Sequence, residues 1–269
     1  METGKLLLFL YDYGNLKDMS SISNNEIKRL KSLQQKKFRD EYGLFVVEGE
    51  KMVDEAVNSG LTVEAKYLRD DIGQDAMGRI SSLSSPSPVL AVVRKPSDIY
   101  VKDASELKQL LSKGGLYLGL DTIRDPGNLG TILRIADWFG IDAVFATRDT
   151  VDVFNPKVVQ ATMGAIFRVK MHYVDLPDLS EHILAAGGKV YGTFLDGINL
   201  YNRDLDTGKE APVMIVIGNE SEGISDGMAA LVSDRLYIPP YPADTPGSES
   251  LNAAIATALT VAEFRRRTL

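Results

Sequence analysis

The sequence predicts an α/β protein with two units: a small N-terminal one and a larger C-terminal one built on a mostly parallel sheet. Short apolar strands alternate with helical segments along most of the 269 residues, a pattern typical of helices packed on a sheet. The run 213–217 is entirely apolar, as expected for a strand buried on both faces of a parallel sheet. An apolar content of 44% is enough for a substantial core.

The first unit is predicted to span residues 22–93. It begins with a helix through Ile27, Leu30 and Leu33, which Ser23 or Asn24 would cap. A strand at 44–49, a helix at 50–58 and strands at 63–68 and 89–93 complete this unit. Residues 1–21 are interpreted as an N-terminal extension, and residues 94–115 as a linker with one short helix at 105–111.

The second unit is predicted to cover residues 116–269. Its strands are expected at 116–120, 143–146, 168–173, 189–195, 213–217 and 235–238. Its helices are expected at 129–139, 156–165, 180–186 and 250–267, with a short turn near 225–232. Because ligands bind at the carboxyl ends of the strands in open α/β sheets, the loops there are the first place to look for a site.

Composition excludes several kinds of site. The chain has no cysteine, which excludes disulfides, thiolate zinc sites and a cysteine nucleophile. With two histidines, His172 and His182, no metal site is expected. The apolar run 6–10 is far shorter than the roughly 20 residues of a membrane span, and it is not followed by a signal-peptide cleavage site. A cytoplasmic protein without a membrane partner is therefore expected.

The net charge of −7 is unlike that of a typical nucleic-acid-binding protein. One stretch is nevertheless strongly basic, and we call it the basic segment: Lys28, Arg29, Lys31, Lys36, Lys37 and Arg39. Salt screens remote acidic residues beyond about 8–10 Å, so such a patch can still bind RNA phosphates. The alternative is a solvated helix face.

Three polar turns in the second unit carry candidate site residues. Residues 125–134 hold a Pro-Gly turn, Asn128 as a candidate helix cap, and Arg134, which could bind a phosphate with two hydrogen bonds. Residues 217–223 present Glu220 after the buried strand, and Gly218 allows close backbone approach. Taken singly, Asn128 could equally be only a helix cap, Arg134 a surface ion-pair residue and Glu220 a solvated acid.

The third turn is Ser250-Leu251-Asn252, at the start of the last helix. Ser250 alone would be interpreted as the cap of that helix, whereas Asn252 is a poor helix former in its first turn and needs another reason. The helix carries an apolar stripe of Leu251, Ile255, Ala258, Leu259 and Ala262. Its terminal arginines, 265–267, are interpreted as a solvated tail that suits the helix dipole.

With these residues, the chain resembles the SpoU (TrmH) family of RNA ribose 2′-O-methyltransferases, in the SPOUT superfamily. Three motifs occur in family order: Asp-Pro-x-Asn-x-Gly with an Arg four residues after that Gly, then Gly-x-Glu-x-x-Gly, then Ser-Leu-Asn. The segment 155–165 also looks like the family's linking segment. Residues 22–93 look, more loosely, like the ribosomal-protein-like RNA-binding domain that often precedes this fold.

The resemblance implies a deep trefoil knot at the carboxyl end of the sheet, although true knots are almost absent from proteins. It further implies S-adenosylmethionine as cofactor, a homodimer and no metal. The residues that match the family's catalytic set are Asn128, Arg134, Glu220, Ser250 and Asn252. Those that match its cofactor-binding positions are Thr193, Gly218, Ile238 and Leu251.

The expected reaction is methyl transfer to a ribose 2′-hydroxyl of RNA. Ribosomal RNA is favoured because a separate N-terminal RNA-binding domain is present. A tRNA 2′-O-methyltransferase and a non-catalytic RNA-binding or ribosome-assembly factor with the same fold are the alternatives. Arg134 is the family's proposed base, but a guanidinium with a pKa above about 12 is a poor one. We therefore expect Arg134, held in place by Glu220, to hold the 3′ phosphate and stabilise the developing alkoxide.

Two departures from the family pattern are visible. The loop 239–249 is a few residues longer than is usual, next to the expected cofactor pocket. Gln160 and Thr162 stand where Arg and Ser are frequent, which alters an expected RNA contact.

Overall fold

The computed structural model describes residues 22–101, 111, 114–242 and 249–268. The expected N-terminal extension and residues 105–110 of the expected linker helix lie outside this range. So do residues 243–248 of the long loop.

The N-terminal unit is a three-stranded antiparallel sheet covered by helices. The strands are β1 (Leu44–Glu48), β2 (Val63–Leu68) and β3 (Val89–Arg94), in the order β1-β3-β2. The helices are α1 (Asn24–Ser32), α2 (Lys36–Tyr42), α3 (Glu50–Asn58), α4 (Arg69–Ile72) and α5 (Gln74–Ile80). Ser23 caps α1 by accepting a hydrogen bond from the Glu26 amide. No side chain caps α2, α4 or α5, so the sequence carries no start signal for these three unpredicted helices.

The C-terminal unit is a six-stranded sheet in which every pairing is parallel, as predicted. The strands are β4 (Gly115–Leu120), β5 (Ala143–Ala146), β6 (Met171–Tyr173), β7 (Lys189–Asn199), β8 (Pro212–Ile217) and β9 (Asp234–Tyr237). Their order is β6-β5-β4-β8-β7-β9. The predicted strand at 168–173 begins too early, because Ala165–Phe167 forms a 3-10 turn. The trefoil knot stays a prediction.

Helices cover both faces of this sheet: α6 (Pro126–Trp138), α7 (Pro156–Thr162), α8 (Leu176–Ala185), α9 (Asp226–Ala229) and α10 (Ala253–Arg266). Helix α6 begins three residues before its predicted start because Asp125, and not Asn128, is its cap. The Asp125 Oδ1 atom accepts a hydrogen bond of 2.7 Å from the Asn128 amide. The side chain of Asn128 is therefore left for another purpose.

The two units share one apolar core. Phe45 of β1 packs against Phe154, with ring centroids 4.7 Å apart, and residues of α3 and α7 belong to the same buried cluster. Arg168 also pairs with Glu55 across the junction and with Asp137. Since removal of the first unit would expose this core to water, point substitutions are a better probe of its function than truncation.

Arg39 is a correction to the predicted RNA-binding set. Its side chain is 2% exposed, and its Nη2 atom lies 2.6 Å from Asp152 Oδ2. Its Nη1 atom donates to the carbonyl oxygens of Leu33 and Gln34, both at 2.9 Å. Buried charges persist when they are paired and hydrogen-bonded in this way, so Arg39 joins the two units and is not available to RNA.

The rest of the basic segment divides into paired and unpaired residues. Arg29 pairs with Glu26, and Lys36 pairs with Asp40. Burial alone would raise the pKa of Asp40, but hydrogen bonds from Lys36 and Lys95 outweigh it and hold that pKa below its usual range. Lys28, Lys31 and Lys37 are exposed and form no ion pair with any residue that the structure describes.

The apolar stripe of α10 faces outward. Leu251, Ile255 and Leu259 are 48%, 51% and 39% exposed. The buried face instead carries Ala253, Ala254, Thr257, Val261 and Phe264, whose small side chains near its start allow α10 to pack closely. Large apolar side chains that share an exposed helix face are typical of an interaction surface.

The terminal arginines are not a solvated tail. Arg265 Nε donates to the carbonyl oxygen of Phe139 at the end of α6, and Arg267 donates to carbonyl oxygens in the segment 200–203. Glu263 accepts from Arg266 and Arg267, and these hydrogen bonds lower its pKa to about 2. Arg265 and Arg267 therefore fasten α10 to the neighbouring segments, whereas Arg266 pairs within the helix. Among the described helices, none is long and apolar enough to cross a bilayer.

Candidate active site

The three polar turns meet at the carboxyl edge of the parallel sheet. Strands β4 and β8 are neighbours, and their last residues, Leu120 and Ile217, lie opposite each other. The turns that follow these strands therefore leave the sheet at the same level. The start of α10 reaches the same place, because Asn252 contacts Asn128. Residues separated by more than 120 positions are thus brought into hydrogen-bond contact.

Asn252, Asn128 and Glu220 form a chain of hydrogen bonds that we call the amide relay. Asn252 Nδ2 donates to Asn128 Oδ1 at 2.8 Å, and Asn128 Nδ2 donates to Glu220 Oε1 at 2.5 Å. Asn252 Oδ1 accepts from the Ala254 and Ile255 amides at the start of α10. That oxygen must face the helix, so each amide in the relay has one possible orientation.

The relay explains two features of the sequence. Asn252, and not Ser250, caps α10, which is the reason for an asparagine at that position. Asn128 is buried in the first turn of α6, where its backbone amide is already satisfied by Asp125. Its side chain is consequently free to join the relay. Glu220 is exposed, so its second carboxylate oxygen faces solvent or a substrate.

Arg134 and Ser250 stand apart from the relay. Arg134 is exposed on α6, and its guanidinium forms no hydrogen bond or ion pair with any residue in the described ranges. The expected contact between Glu220 and Arg134 is absent within this chain, since Glu220 binds Asn128 instead. Ser250 is exposed and lies two residues before Asn252. An exposed arginine without a described partner can bind phosphate or carboxylate groups.

The predicted cofactor-binding residues lie along the same edge. Thr193 is within β7, Gly218 follows β8 and Ile238 follows β9, and these three strands are adjacent in the sheet. Thr193 Oγ1 is 3.5 Å from the Val216 carbonyl oxygen. Leu251 precedes α10 and is half exposed. All four positions thus reach one edge, next to the amide relay.

Gly218 is required by its own turn. A Cβ atom there would lie 2.2 Å from the carbonyl carbon of Gly223, so any larger residue would separate the two ends of the turn. The group that closely approaches Gly218 is therefore the backbone of Gly223, in the same turn.

The sequence reasoning missed the residues that hold the two turns together. Asp121 and Asn219 are buried polar residues, one position after the end of β4 and two positions after the end of β8. Asp121 Oδ2 accepts from the Ser225 amide at 2.8 Å, and Asn219 Nδ2 donates to the Thr122 carbonyl oxygen at 2.9 Å. A polar residue within two positions of the end of an apolar strand is the signal that would have pointed to them.

Within the described residues, no cluster of His, Asp and Glu side chains could hold a metal ion. The site consists instead of amides, one carboxylate, one guanidinium, a hydroxyl and exposed backbone. Such a set can orient hydroxyl and phosphate groups by hydrogen bonding.

The chain belongs to the SpoU rRNA methylase family, whose model matches residues 115–262. Residues 24–95 match the model of the MRM3-like substrate binding domain. Among characterised relatives, the 23S rRNA (guanosine(2553)-2′-O)-methyltransferase RlmP of Bacillus subtilis is 30% identical over 265 residues, which cover 93% of this chain and all of the relative.

Two solved structures extend the similarity to nearly the whole chain. A TrmH-family protein from Porphyromonas gingivalis is 38% identical, with a TM-score of 0.78 over 91% of this chain and 99% of the other. An rRNA methyltransferase from Sinorhizobium meliloti, solved with AdoMet bound, is 28% identical, with a TM-score of 0.80 over 93% of this chain and 98% of the other.

Two substitutions of Asn252 distinguish its role in the amide relay from its role as the helix cap. We expect Asn252→Ser to keep the cap, because serine caps helices about as well as asparagine, but to lose the hydrogen bond to Asn128. The variant should keep its thermal stability and lose activity. Asn252→Ala should lose both, with a decrease of about 1 kcal/mol in the free energy of unfolding. Thermal unfolding and a methyl-transfer assay check this pair, and full activity of Asn252→Ser would show that the relay is dispensable.

Proposed function

We propose that this protein transfers a methyl group from S-adenosylmethionine to a ribose 2′-hydroxyl of ribosomal RNA. The observation that carries the proposal is the amide relay, which ends in an exposed carboxylate at the edge where the family motifs meet. The relative in Bacillus subtilis is named for this reaction on 23S rRNA, and AdoMet is bound in the Sinorhizobium meliloti structure. A cytoplasmic location is part of the same proposal.

The predicted cofactor-binding set suits an adenosine-containing group. Ile238 and Leu251 remain partly exposed beside the sheet edge and offer apolar surface to a flat ring. Thr193 and the backbone at Gly218 offer polar contacts, and neither brings a charge. Pockets for such ligands are mostly apolar, with a few placed polar groups. When bound there, S-adenosylmethionine supplies the electrophilic methyl group.

The residues of the chain would act mainly by orientation. The ribose O2′ atom would bond to the methyl carbon as that carbon's bond to the sulfonium sulfur breaks, and the hydroxyl proton would leave to a phosphate oxygen or to water. Glu220 has a free carboxylate oxygen, and Asn128 and Asn252 each retain a second amide hydrogen. These groups can hold the ribose hydroxyls in one orientation, and alignment of the reacting groups contributes several kcal/mol or more.

Arg134 would bind the phosphate next to the reacting ribose. Its guanidinium is exposed and has no described partner in this chain, so it enters the complex without breaking an existing ion pair. A planar guanidinium can donate two hydrogen bonds to one phosphate. Its positive charge would then stabilise the alkoxide that develops at O2′.

A homodimer would complete the site. Ile255 and Leu259 on α10 and Leu251 just before it are exposed apolar residues, and exposed Trp138 lies four residues after Arg134 on α6. A second copy packed on this face would bury the apolar surface. In such a dimer Arg134 of one chain could reach the amide relay of the other.

The N-terminal unit would bind structured RNA through Lys28, Lys31 and Lys37, the exposed residues of the basic segment that form no ion pair in the described ranges. Arg39 anchors this unit to Asp152, so the lysines stand at a fixed position relative to the sheet edge. RNA shape and single-stranded loops are recognised by surfaces of this kind.

Arg134→Lys tests the phosphate clamp. Lysine keeps the charge but loses the planar pair of donors, so we expect the single-turnover rate of methyl transfer to fall roughly 10²-fold. The substrate is an unmodified 23S rRNA transcript, and calorimetric titration with S-adenosylmethionine should give unchanged affinity. A rate within about threefold of wild type would refute bidentate binding.

Mixed dimers test whether Arg134 acts across the subunit interface. Arg134→Ala and Asn128→Asp chains carrying different tags are co-expressed, and the mixed dimer is purified through both tags. If the arginine acts in the partner's site, one of two sites is intact and about half of the wild-type activity is expected.

The reciprocal control pairs a wild-type chain with an Arg134→Ala/Asn128→Asp chain. The cross-subunit arrangement leaves this dimer inactive, whereas an arginine acting within its own chain leaves it about half active. A chain that remains a monomer in light scattering at micromolar concentration would contradict the dimer itself.

Replacement of Lys28, Lys31 and Lys37 by alanine tests the RNA surface. We expect weaker binding of the 23S transcript and a reduction of about 2 in the slope of log K against log salt, since each lost phosphate contact contributes roughly 0.7–0.9. A matched triple at the amino ends of the strands, Lys170→Ala/Lys189→Ala/Lys209→Ala, controls for net charge. Equal effects of the two triples would refute a specific surface.

A further inference from the structure

A buried asparagine beside the exposed carboxylate is used by neither the proposed chemistry nor the cofactor set. Asn219 immediately precedes Glu220 and is 9% exposed. Its side chain makes three hydrogen bonds, and its backbone makes two more, to Gly223. This is a large number of hydrogen bonds for a residue in an external turn.

The oxygen of the Asn219 side chain shapes its own turn. Asn219 Oδ1 accepts from the amides of Ser221 and Glu222, at 2.9 and 3.0 Å. The backbone groups of Asn219 and Gly223 exchange two further hydrogen bonds. An aspartate could supply the same acceptors, because this is the geometry in which Asn and Asp are interchangeable.

The nitrogen of the same side chain reaches the other turn. Asn219 Nδ2 donates to the carbonyl oxygen of Thr122 at 2.9 Å. Both acceptor positions of Oδ1 are occupied by backbone amides, so the side-chain amide cannot be flipped. An aspartate could not supply this contact while ionised, because a carboxylate is only an acceptor.

The Thr122 carbonyl is itself held in an uncommon orientation. Thr122 has a φ angle of 61°, in the left-handed region that non-glycine residues rarely adopt. Its amide donates to Thr147 Oγ1 at 2.9 Å, and the next amide, of Ile123, donates to Thr150 Oγ1. The carbonyl that receives Asn219 is therefore positioned by hydrogen bonds from a third loop.

The hydrogen bond from Asn219 to Thr122, which we call the tie, links the two segments that carry Glu220 and Asn128. Asn219 is bonded covalently to Glu220, and Thr122 lies three residues before Asp125, the cap that positions Asn128. We propose that Asn219 is a positioning residue: its hydrogen bond to Thr122 sets Glu220 against Asn128 and so keeps the amide relay aligned. This inference rests on the proposed function of the relay.

The substitution Asn219→Asp tests the side-chain donor of Asn219 by itself. The variant retains every acceptor in the turn, so we expect it to fold and to bind S-adenosylmethionine within about threefold of wild type. Loss of the tie should lower the single-turnover rate of methyl transfer at pH 8 by about tenfold or more, since misalignment of a site is costly.

The same variant should recover as the pH falls. A protonated carboxyl regains a donor and can bind the Thr122 carbonyl as the amide does. The charged groups around it are Asp121, Glu220 and Glu222, with Arg124, which lies 3.7 Å from Glu222. Those acids and the facing Thr122 carbonyl oxygen raise the pKa of the introduced carboxyl, whereas the hydrogen bonds from the Ser221 and Glu222 amides lower it. The ratio of variant to wild-type rate should therefore rise as the pH falls towards that pKa.

Two further variants complete the test. Asn219→Ala removes donor and acceptors, and its low rate should show no recovery at low pH. Thr147→Val removes the acceptor for the Thr122 amide without touching Asn219, and should lower the turnover rate at every pH. If Asn219→Asp does not fold, a wild-type rate for Thr147→Val overturns the proposal.

The outcomes separate this inference from the proposed function. A pH-independent ratio near one for Asn219→Asp overturns the positioning role, and equal losses of turnover, cofactor affinity and thermal stability leave only a structural role. In either case methyl transfer by the Glu220→Gln variant should still be impaired. If wild type transfers no methyl group to the 23S transcript, or Glu220→Gln transfers it at the wild-type rate, it is the proposed function that fails.

Discussion

The parallel pairing of β4 with β8 is the constraint on which the rest of the site depends. Because Leu120 and Ile217 end opposite each other, the turns after them leave the sheet side by side. A shift of the register by one residue would turn every side chain of β8 to the opposite face, and Asn219 could no longer reach Thr122. The contact of Glu220 with Asn128, and through it with α10, depends on this alignment.

The loop after β5 serves both the site and the N-terminal unit. Thr147 and Thr150 accept from backbone amides of the turn that leads to Asn128, and two residues later Asp152 receives the buried guanidinium of Arg39. The surface expected to bind RNA and the edge expected to carry the chemistry are thus fixed to the same segment. A shared core makes this connection stiff, because close-packed interiors transmit displacement.

Two exposed features of a single chain are suited to contact another molecule. Helix α10 presents Ile255 and Leu259 to solvent, next to the exposed Leu251 that precedes it, and Arg134 extends from α6 without a described partner. The small residues of the buried face of α10 allow it to pack closely within the chain while its large residues stay outside. This division of residue sizes suits a helix that packs on both sides, once within the subunit and once against a second copy.

The sequence by itself determined the alternation of strands and helices, the parallel sheet and the three motifs, because these follow from local periodicity and from short spacings. It also determined the family, since Asn128, Arg134, Glu220 and Asn252 lie in those motifs. Local pattern could not assign the caps at Asp125 and Asn252, because several polar residues near each helix start are suitable.

Tertiary structure alone decided what each polar side chain binds. Arg39 sits among exposed lysines in the sequence, and its burial depends on Asp152, more than 100 residues away. The orientation of the amide relay depends on three segments that meet only when the sheet forms. Hydrogen-bond partners are set by distance and direction in space, and no periodicity along the chain encodes them.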